Sequence, residues 1–203
     1  METVLQNRTR HITVALEDIF QPHNASAVIR SCDCFGVQDL HIIENRNQYI
    51  LNPNVTQGSS KWIDLIRHNQ HSESNTEACY DTLKAKGYRI YATSPHATGL
   101  ELNQVPIDEK VALVFGTELE GLTKTALDQS HGVVRIPMYG FTESFNISVC
   151  VALCLHTLID KLHASKVNWR LSREELDEIR LSWYRRSVRN SDILEKEFRK
   201  NHE

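Results

Sequence analysis

The chain has 203 residues, 40% of them hydrophobic and 24% charged, which suits one folded domain with a proper core and excludes a disordered protein. No run approaches the roughly 18 consecutive apolar residues that span a bilayer, and no signal peptide opens the chain, so we expect a cytoplasmic protein without a membrane partner. The net charge of -3 is uneven: residues 161–203 hold 11 Lys+Arg against 8 Asp+Glu, and the rest holds 12 against 18.

Short apolar runs alternate with helical patterns along most of the chain. The runs are rich in Val, Ile and Tyr and nearly continuous, as in strands covered on both faces. We predict strands at 12–19, 39–43, 88–93, 111–116 and 132–138, and helices at 24–35, 75–86, 123–129 and 144–163. This alternation predicts an α/β fold with a parallel sheet.

The last segment differs in character from the rest. Ser172 and Glu175 form a capping-box pattern, which predicts one charged helix running from Leu171 to Lys200. Its apolar surface is too small for an independent core, so we expect it to dock on the main domain or on a second subunit. We divide the chain into a domain at 1–165 and a C-terminal helical extension at 166–203. The positive charge of this extension suits binding to a polyanion, although a solvated helix with paired charges is an adequate explanation as well.

Several familiar site patterns do not occur in this sequence. The dinucleotide turn GxGxxG, the phosphate loop GxxxxGK[ST] and the nucleophile elbow GxSxG are all missing. The histidines show no HExxH spacing, and we predict no metal. We interpret the cysteines as free thiols that act as small hydrophobic residues: Cys32, Cys34, Cys79, Cys150 and Cys154.

Polar residues at element ends remain as candidates. Arg30 stands among apolar neighbours six residues after Asn24, and either a structural ion pair or phosphate recognition would explain it. Glu118 follows a strand and a glycine, where it is either a first-turn acid or part of the ligand crevice of an open sheet. Ser144 and Asn146 precede a long apolar helix and are either caps or site residues.

Three ordered motifs contain these candidates and together resemble the SpoU/TrmH family of SPOUT RNA 2′-O-ribose methyltransferases. The first, N-x-[SG]-x-x-x-R, is matched by Asn24, Ser26 and Arg30. The second, F-G-x-E-x-x-G-[LV], is matched from Phe115 to Leu122. The third, I-P-M-x-G-x-x-x-S-[LF]-N-[VI]-S-V-[AC], is matched from Ile136 through Cys150. The resemblance extends from about Ile12 to Leu162.

The resemblance implies a fold, a cofactor and an assembly. The fold is a parallel sheet flanked by helices, with a deep trefoil knot in the C-terminal part of the domain, a rare exception to unknotted topology. The cofactor is S-adenosylmethionine, held by the knot loops, and the enzymes work as homodimers with the site near the interface. Carried over by position, the cofactor-binding residues are Thr93, Gly116, Ile136 and Phe145, with Met138 and Leu113 as weaker candidates.

The reaction that the resemblance implies is methyl transfer to a ribose 2′-hydroxyl of RNA, not of DNA. Arg30 would be the central catalytic residue; because a guanidinium stays protonated, we expect it to orient the phosphate and stabilise the developing alkoxide rather than act as a base. Asn24 and Asn146 would position the ribose and Arg30, while Glu118 and Ser144 would shape the site.

The RNA partner is less constrained than the reaction. The third motif and the basic tail most resemble the enzymes that methylate the D-loop guanosine of transfer RNA. Methylation of ribosomal RNA or of a wobble position is the alternative, and an RNA-binding scaffold without catalysis is an alternative of another class. We expect backbone contacts from Arg8, Arg10, Arg170, Arg185, Arg186 and Arg189.

Overall fold

The computed structural model describes residues 1–49, 58–70 and 74–201. Helices and strands alternate through most of the chain, and two short 3₁₀ turns lie at Ser59–Lys61 and Leu102–Gln104. In chain order the elements are α1 (Glu2–Leu5), β1 (Ile12–Glu17), α2 (Pro22–Cys34), β2 (Asp39–Ile43), β3 (Asp64–His68), α3 (Asn75–Ala85), β4 (Tyr88–Thr93), β5 (Leu100–Glu101), β6 (Lys110–Phe115), α4 (Lys124–Asp128), β7 (Gly132–Arg135), α5 (Ile147–His163), α6 (Arg173–Ser187) and α7 (Ser191–Lys200).

The strands form one seven-stranded sheet in the order β3-β2-β1-β6-β4-β7-β5, and each neighbouring pair is parallel. Central strands β1 and β2 are buried at every position, because helices cover both faces of the sheet. Alternate residues of β1 enter two separate cores: Val14 and Leu16 pack with α2 and α5, and Ala15 packs with α3 and α4. The predicted α/β fold is confirmed.

Most predicted elements are present, but some boundaries were wrong. The helix predicted to begin at Asn24 begins at Pro22, and the one predicted from Ser144 begins at Ile147. The last predicted strand ends at Arg135. Strand β3 was missed because it lies at the sheet edge, where only half of its surface is covered and its sequence, DLIRH, is charged.

The predicted single helix from Leu171 to Lys200 was also wrong, because the structure has two helices there. The chain reverses at Asn190, whose φ of 58° is left-handed, a conformation that asparagine tolerates better than most residues. Helix α7 then returns along α6, and Arg185 and Glu195 join the two helices by an ion pair of 2.6 Å.

Helix α6 docks on the N-terminal part of the chain. Trp183 is buried with Leu5 and Ile179, and its indole N–H donates to the carbonyl of Trp62 at 3.1 Å. The tail therefore packs on the main domain, although the division into domains at 1–165 and 166–203 stays a prediction. So does the trefoil knot.

Two further properties bear on the sequence predictions. In the described ranges, no helix is long and apolar enough to cross a bilayer. Each of the five cysteines is a free thiol, as predicted, but the interpretation as a buried hydrophobic residue was wrong for Cys34, which is exposed. Cys32 and Cys79 are fully buried, and burial raises the pKa of the Cys32 thiol to about 12.

Candidate active site

Three predicted site residues from distant parts of the sequence meet at one edge of the sheet. The side-chain amide of Asn24 donates to Oε1 of Glu118 at 3.0 Å, and that of Asn146 donates to the same oxygen at 2.7 Å. Asn146 also donates to Oδ1 of Asn24 at 3.1 Å. We call Asn24, Glu118 and Asn146 the amide–carboxylate cluster.

The start of helix α2 positions Asn24. Pro22 occupies the first helical position, where its missing N–H is no loss, so Asn24 lies in the first turn and its side chain is not needed as the cap. It is 6% exposed, and it also donates to Oε1 of Gln21 at 3.0 Å. Gln21 was not predicted from the sequence as a site residue. Pro22 was the available signal, because a proline is common at the first position of a helix and would have placed the start of α2 before Asn24.

Asn146 is both a helix cap and a member of the cluster. Its Oδ1 accepts from the N–H of Ser148 at 3.0 Å, which satisfies a donor at the start of α5. Its amide nitrogen remains available for Glu118 and Asn24. The interpretation of Asn146 as a cap is therefore confirmed, and its role in the site stays a prediction.

A tight loop presents Glu118 to the cluster. Thr117 and Gly121 exchange two backbone hydrogen bonds of 3.0 Å, and Gly121 has a φ of 71°. A side chain on Gly116 would lie 2.2 Å from the backbone of Gly121, so only glycine permits this approach. Helix α4 begins at Lys124 under a Thr123 cap, and Glu118 is therefore not one of its first-turn acids.

A cavity of about 350 Å³ opens beside the cluster, within the volume range of small-molecule sites. Five of the six predicted cofactor residues line it: Thr93, Gly116, Ile136, Met138 and Phe145. Ser144 and Glu118 line it as well. The sixth, Leu113, does not line the cavity, because it is fully buried within β6 in the core under α2 and α5.

Two thiols that the sequence analysis treated as core residues also line this cavity. Cys150 and Cys154 are one turn apart on α5. The neighbouring Cys150 thiol and burial raise the pKa of Cys154 well above its ordinary value, so this thiol stays neutral.

Arg30 lies apart from these residues. It is on the exposed side of α2 and makes no hydrogen bond within the described ranges. It lines neither this cavity nor a second cavity of about 330 Å³, which adjoins the first at Glu118. The structural ion pair considered from the sequence is thus not seen for Arg30 in the described part of the chain. Its guanidinium is available to an anion from outside the monomer.

The structure contradicts two of the predicted RNA contacts. Arg8 is 1% exposed, forms an ion pair with Asp33 and lies 5.2 Å from the ring of Trp183, so it stabilises the docked tail. Arg10 is mostly buried between Asp39 at 3.1 Å and Asp64 at 3.3 Å. Both side chains are held by internal partners and present little surface to a phosphate.

The remaining basic candidates are at the surface. Arg170 is exposed and lies over the ring of Trp169 at 5.2 Å, and Arg189 is exposed at the end of α6. Arg185 pairs with Glu195, and Arg186 pairs with Asp64 at 2.7 Å. The exposed pair of Arg185 contributes little to stability, so this arginine can exchange a carboxylate for a phosphate at small cost. Arg186 is held more firmly, because it also donates to the carbonyls of Lys61 at 3.1 Å and Ile63 at 3.0 Å.

Comparison with known proteins agrees with this arrangement. The family model described as the SpoU rRNA Methylase family matches residues 11–156. A tRNA (guanosine(18)-2'-O)-methyltransferase of Borreliella burgdorferi is 43% identical over 195 residues, which cover 96% of this chain and 87% of that protein. The TrmH/SpoU tRNA modifying enzyme of A. aeolicus superposes with a TM-score of 0.79 at 26% identity, covering 92% of this chain and 94% of the other.

A more distant solved structure contains the bound cofactor AdoMet. The SpoU methyltransferase AviRb of Streptomyces viridochromogenes, in complex with the cofactor AdoMet, superposes with a TM-score of 0.65 at 20% identity. The match covers 78% of this chain and 60% of that one. At 20% identity, this structural similarity shows that the two proteins share a fold.

Proposed function

The chain belongs to the SpoU rRNA methylase family, and from that membership we propose that it transfers a methyl group from S-adenosylmethionine to a ribose 2′-hydroxyl of transfer RNA. The relative from Borreliella burgdorferi suggests guanosine 18 as the target. The observation that carries the proposal is the position of the amide–carboxylate cluster at the edge of the 350 Å³ cavity. We expect the protein to act in the cytoplasm.

The cavity fits S-adenosylmethionine in size and in chemistry. Apolar side chains such as Phe115, Ile136 and Phe145 suit the adenine and the carbon chain, and the carboxylates of Glu118 and Glu143 suit the two positive charges. When bound, this cofactor supplies an electrophilic methyl group on a positively charged sulfur. The chain has to orient the attacking hydroxyl and accept its proton.

The exposed position of Arg30 limits how it takes part. Because it lies outside the cavity of its own monomer, its predicted role requires the RNA or a second copy of the chain to bring a phosphate and the hydroxyl to it. Its fork of donors suits phosphate oxygens and the developing alkoxide. We keep it as the phosphate-orienting residue of the reaction.

A homodimer would cover apolar surface that the monomer leaves open. Val149 and Leu153, one turn apart on α5, are 46% and 40% exposed, and Tyr139 and Phe141 in the preceding loop are almost fully exposed. Exposed apolar side chains grouped in one part of the chain are typical of protein interfaces. We propose that α5 and this loop face the second subunit, close to the cluster.

The test is methylation of transfer RNA and ribosomal RNA by the purified protein with labelled cofactor, followed by mapping of the 2′-O-methyl position. A single modified guanosine in transfer RNA is the expected result. Modification of ribosomal RNA or of a wobble nucleotide would refute the substrate assignment. Absence of cofactor binding by calorimetry would refute the enzyme and leave an RNA-binding scaffold.

A further inference from the structure

Three side chains of the types that bind metal ions meet between helix α3 and the edge of the sheet. His41 lies in β2, His68 ends β3, and Cys79 lies in α3. Each offers one ligand atom, and these three atoms lie within 4.8 Å of one another. We call these residues the His–His–Cys cluster. None of them lines the cofactor cavity or the second cavity, so the cluster is separate from the candidate active site.

The parallel pairing of β2 with β3 brings the two histidines together. His68 is the partner of Ile43, which is two residues after His41, so both imidazole rings project from the same face of the sheet. Nδ1 of His41 lies 3.0 Å from Nε2 of His68, and the two rings are stacked. Helix α3 covers this face, because Ile43 and Cys79 belong to the same core. The fold therefore places a thiol beside a pair of imidazoles.

The distances within the cluster are close to those of a zinc site. A tetrahedral Zn²⁺ ion, bonded to nitrogen at about 2.1 Å and to sulfur at about 2.3 Å, holds its ligand atoms roughly 3.3–3.6 Å apart. The two ring nitrogens need to separate by a few tenths of an ångström, and the thiol needs to approach by about 1 Å. Imidazole and thiolate ligands suit Zn²⁺, whereas Mg²⁺ and Ca²⁺ prefer oxygen.

Hydrogen bonding alone does not account for the cluster. His41 is fully buried, yet its Nε2 has no hydrogen-bond partner in the described ranges. Buried polar atoms are almost always paired, and the hydrogen bond between the two rings satisfies only one nitrogen of His41. An ion bound by both rings would add binding energy that offsets the cost of burying these polar groups.

A buried carboxylate beside the cluster also favours a cation. Glu17 is 1% exposed and forms no ion pair with any residue that the structure describes. It accepts a hydrogen bond from Thr76, which precedes Cys79 by about one turn of α3. Burial and the charge of Glu17 raise the pKa of the Cys79 thiol. A coordinated zinc ion deprotonates such a thiol, and the sum of the charges of one Zn²⁺, one thiolate and one carboxylate is then zero.

We propose that the His–His–Cys cluster binds one zinc ion through a ring nitrogen of His41, a ring nitrogen of His68 and the Sγ of Cys79. The thiol proton is released to solvent as the zinc–sulfur bond forms. No fourth His, Cys, Asp or Glu joins the cluster in the described part of the chain, so water completes the tetrahedron. The ion ties α3 to β2 and to the edge strand β3, which has only one neighbouring strand in the sheet.

The prediction that the chain binds no metal depended on ligand spacing along the sequence, where these residues form no motif. His41 and His68 are 27 residues apart, and Cys79 lies on a third element. Only the folded chain brings the three ligands together.

The first experiment measures metal binding by Cys79→Ser, with Cys32→Ser as the matched control. Cys32 is equally buried but lies in the other core, on α2. Each protein is produced in medium supplemented with Zn²⁺ or Co²⁺, so that the metal is present while the chain folds, and gel filtration then removes weakly bound ions. The wild type and Cys32→Ser should retain about one zinc ion per chain.

Cys79→Ser should lose this ion, because the hydroxyl of serine does not replace a thiolate. Competition with a chromophoric chelator should show zinc affinity weakened by about 100-fold or more, since even residues that only support a ligand contribute about 10–100-fold. The cobalt form of the wild type should show the charge-transfer absorption of a cobalt–thiolate bond, and Cys79→Ser should lack it. If Cys79→Ser does not fold, His68→Gln replaces the ligand nearest the surface, and we expect the same loss of zinc.

The second experiment measures the effect of zinc on stability. At a free zinc concentration about 100 times the dissociation constant, the unfolded population in urea should fall by about 100-fold for the wild type and for Cys32→Ser. The same zinc concentration should not stabilise Cys79→Ser or His68→Gln.

Three results would overturn the zinc site: a wild type that retains no zinc, cobalt–thiolate absorption that persists in Cys79→Ser, or an equal loss of zinc in Cys32→Ser. Neither experiment involves methyl transfer, so the proposed function is tested separately.

Discussion

Replacement of Trp183 by alanine tests whether the tail is a structural part of the domain. The side chain is 1% exposed and is the largest in a cluster with Leu5, Leu171 and Ile179. Its indole donates to the carbonyl of Trp62, and its ring centroid lies 5.4 Å from the ring of Trp62. The contacts with Leu5 and Trp62 hold α6 against the main domain.

The expected loss is large because several contributions act together. Truncation of a buried tryptophan to alanine costs about 3–5 kcal/mol in unfolding free energy. The neighbouring Arg8 also loses the ring that its guanidinium faces at 5.2 Å, which leaves a buried charge with Asp33 as its ion-pair partner. For a chain of this size, the melting temperature should fall by about 6–20 °C.

Denaturant titration and thermal unfolding measure this loss, with Tyr184→Ala as the matched control. Tyr184 is the next residue of α6 but is 48% exposed, so its truncation should change the unfolding free energy by about 0.5 kcal/mol or less. If Trp183→Ala is no more destabilising than Tyr184→Ala, the tail is not docked as described. Arg8 would then again be a candidate for RNA binding.

Four further predictions concern the site, the core and the RNA. Asn146→Asp retains the cap of α5 but places a second carboxylate beside Glu118, so methylation should fall by about tenfold or more while the unfolding free energy changes little. Arg30→Lys should lose most turnover, because an ammonium cannot replace the fork of donors; retention of turnover would refute that role. Burial, with smaller effects of His68 and Lys86, lowers the pKa of His41 to about 3. Below about pH 6.5 the unfolded chain therefore binds a proton at His41 that the folded chain does not bind. The contribution of His41 to the unfolding free energy of the metal-free protein should therefore be constant above that pH and fall by up to about 1.4 kcal/mol per pH unit below it. Replacement of His41 by glutamine should reduce this slope. Binding of transfer RNA should weaken steeply with salt, and indifference to salt would exclude phosphate contacts by the exposed arginines.

Much of the fold was predictable because its signals are local. Strands such as β1 and β2 are buried on both faces, and their sequences are therefore mostly apolar. Strand β3 was not predictable in this way, because an edge strand needs apolar residues on one side only. The break at Asn190 was equally invisible, since a single left-handed residue leaves no periodic signal.

The candidate site was predictable in its parts but not in its connections. The motifs identified Asn24, Glu118 and Asn146, yet nothing local states that one carboxylate oxygen binds both amides while the other remains open. Gln21 escaped notice because its role depends on where α2 begins. The second cavity was also unpredictable, because its walls come from several separate loops.

The sequence by itself therefore determined the α/β architecture, the family and the candidate site residues, since apolar periodicity and ordered motifs are properties of the chain. The tertiary structure alone decided how these residues are used. It buried Arg8 and Arg10 in internal ion pairs, left Arg30 at the surface and placed Glu118 between two cavities. The physical reason is that burial, pairing and cavity walls depend on contacts between residues far apart in the chain, which no local pattern encodes.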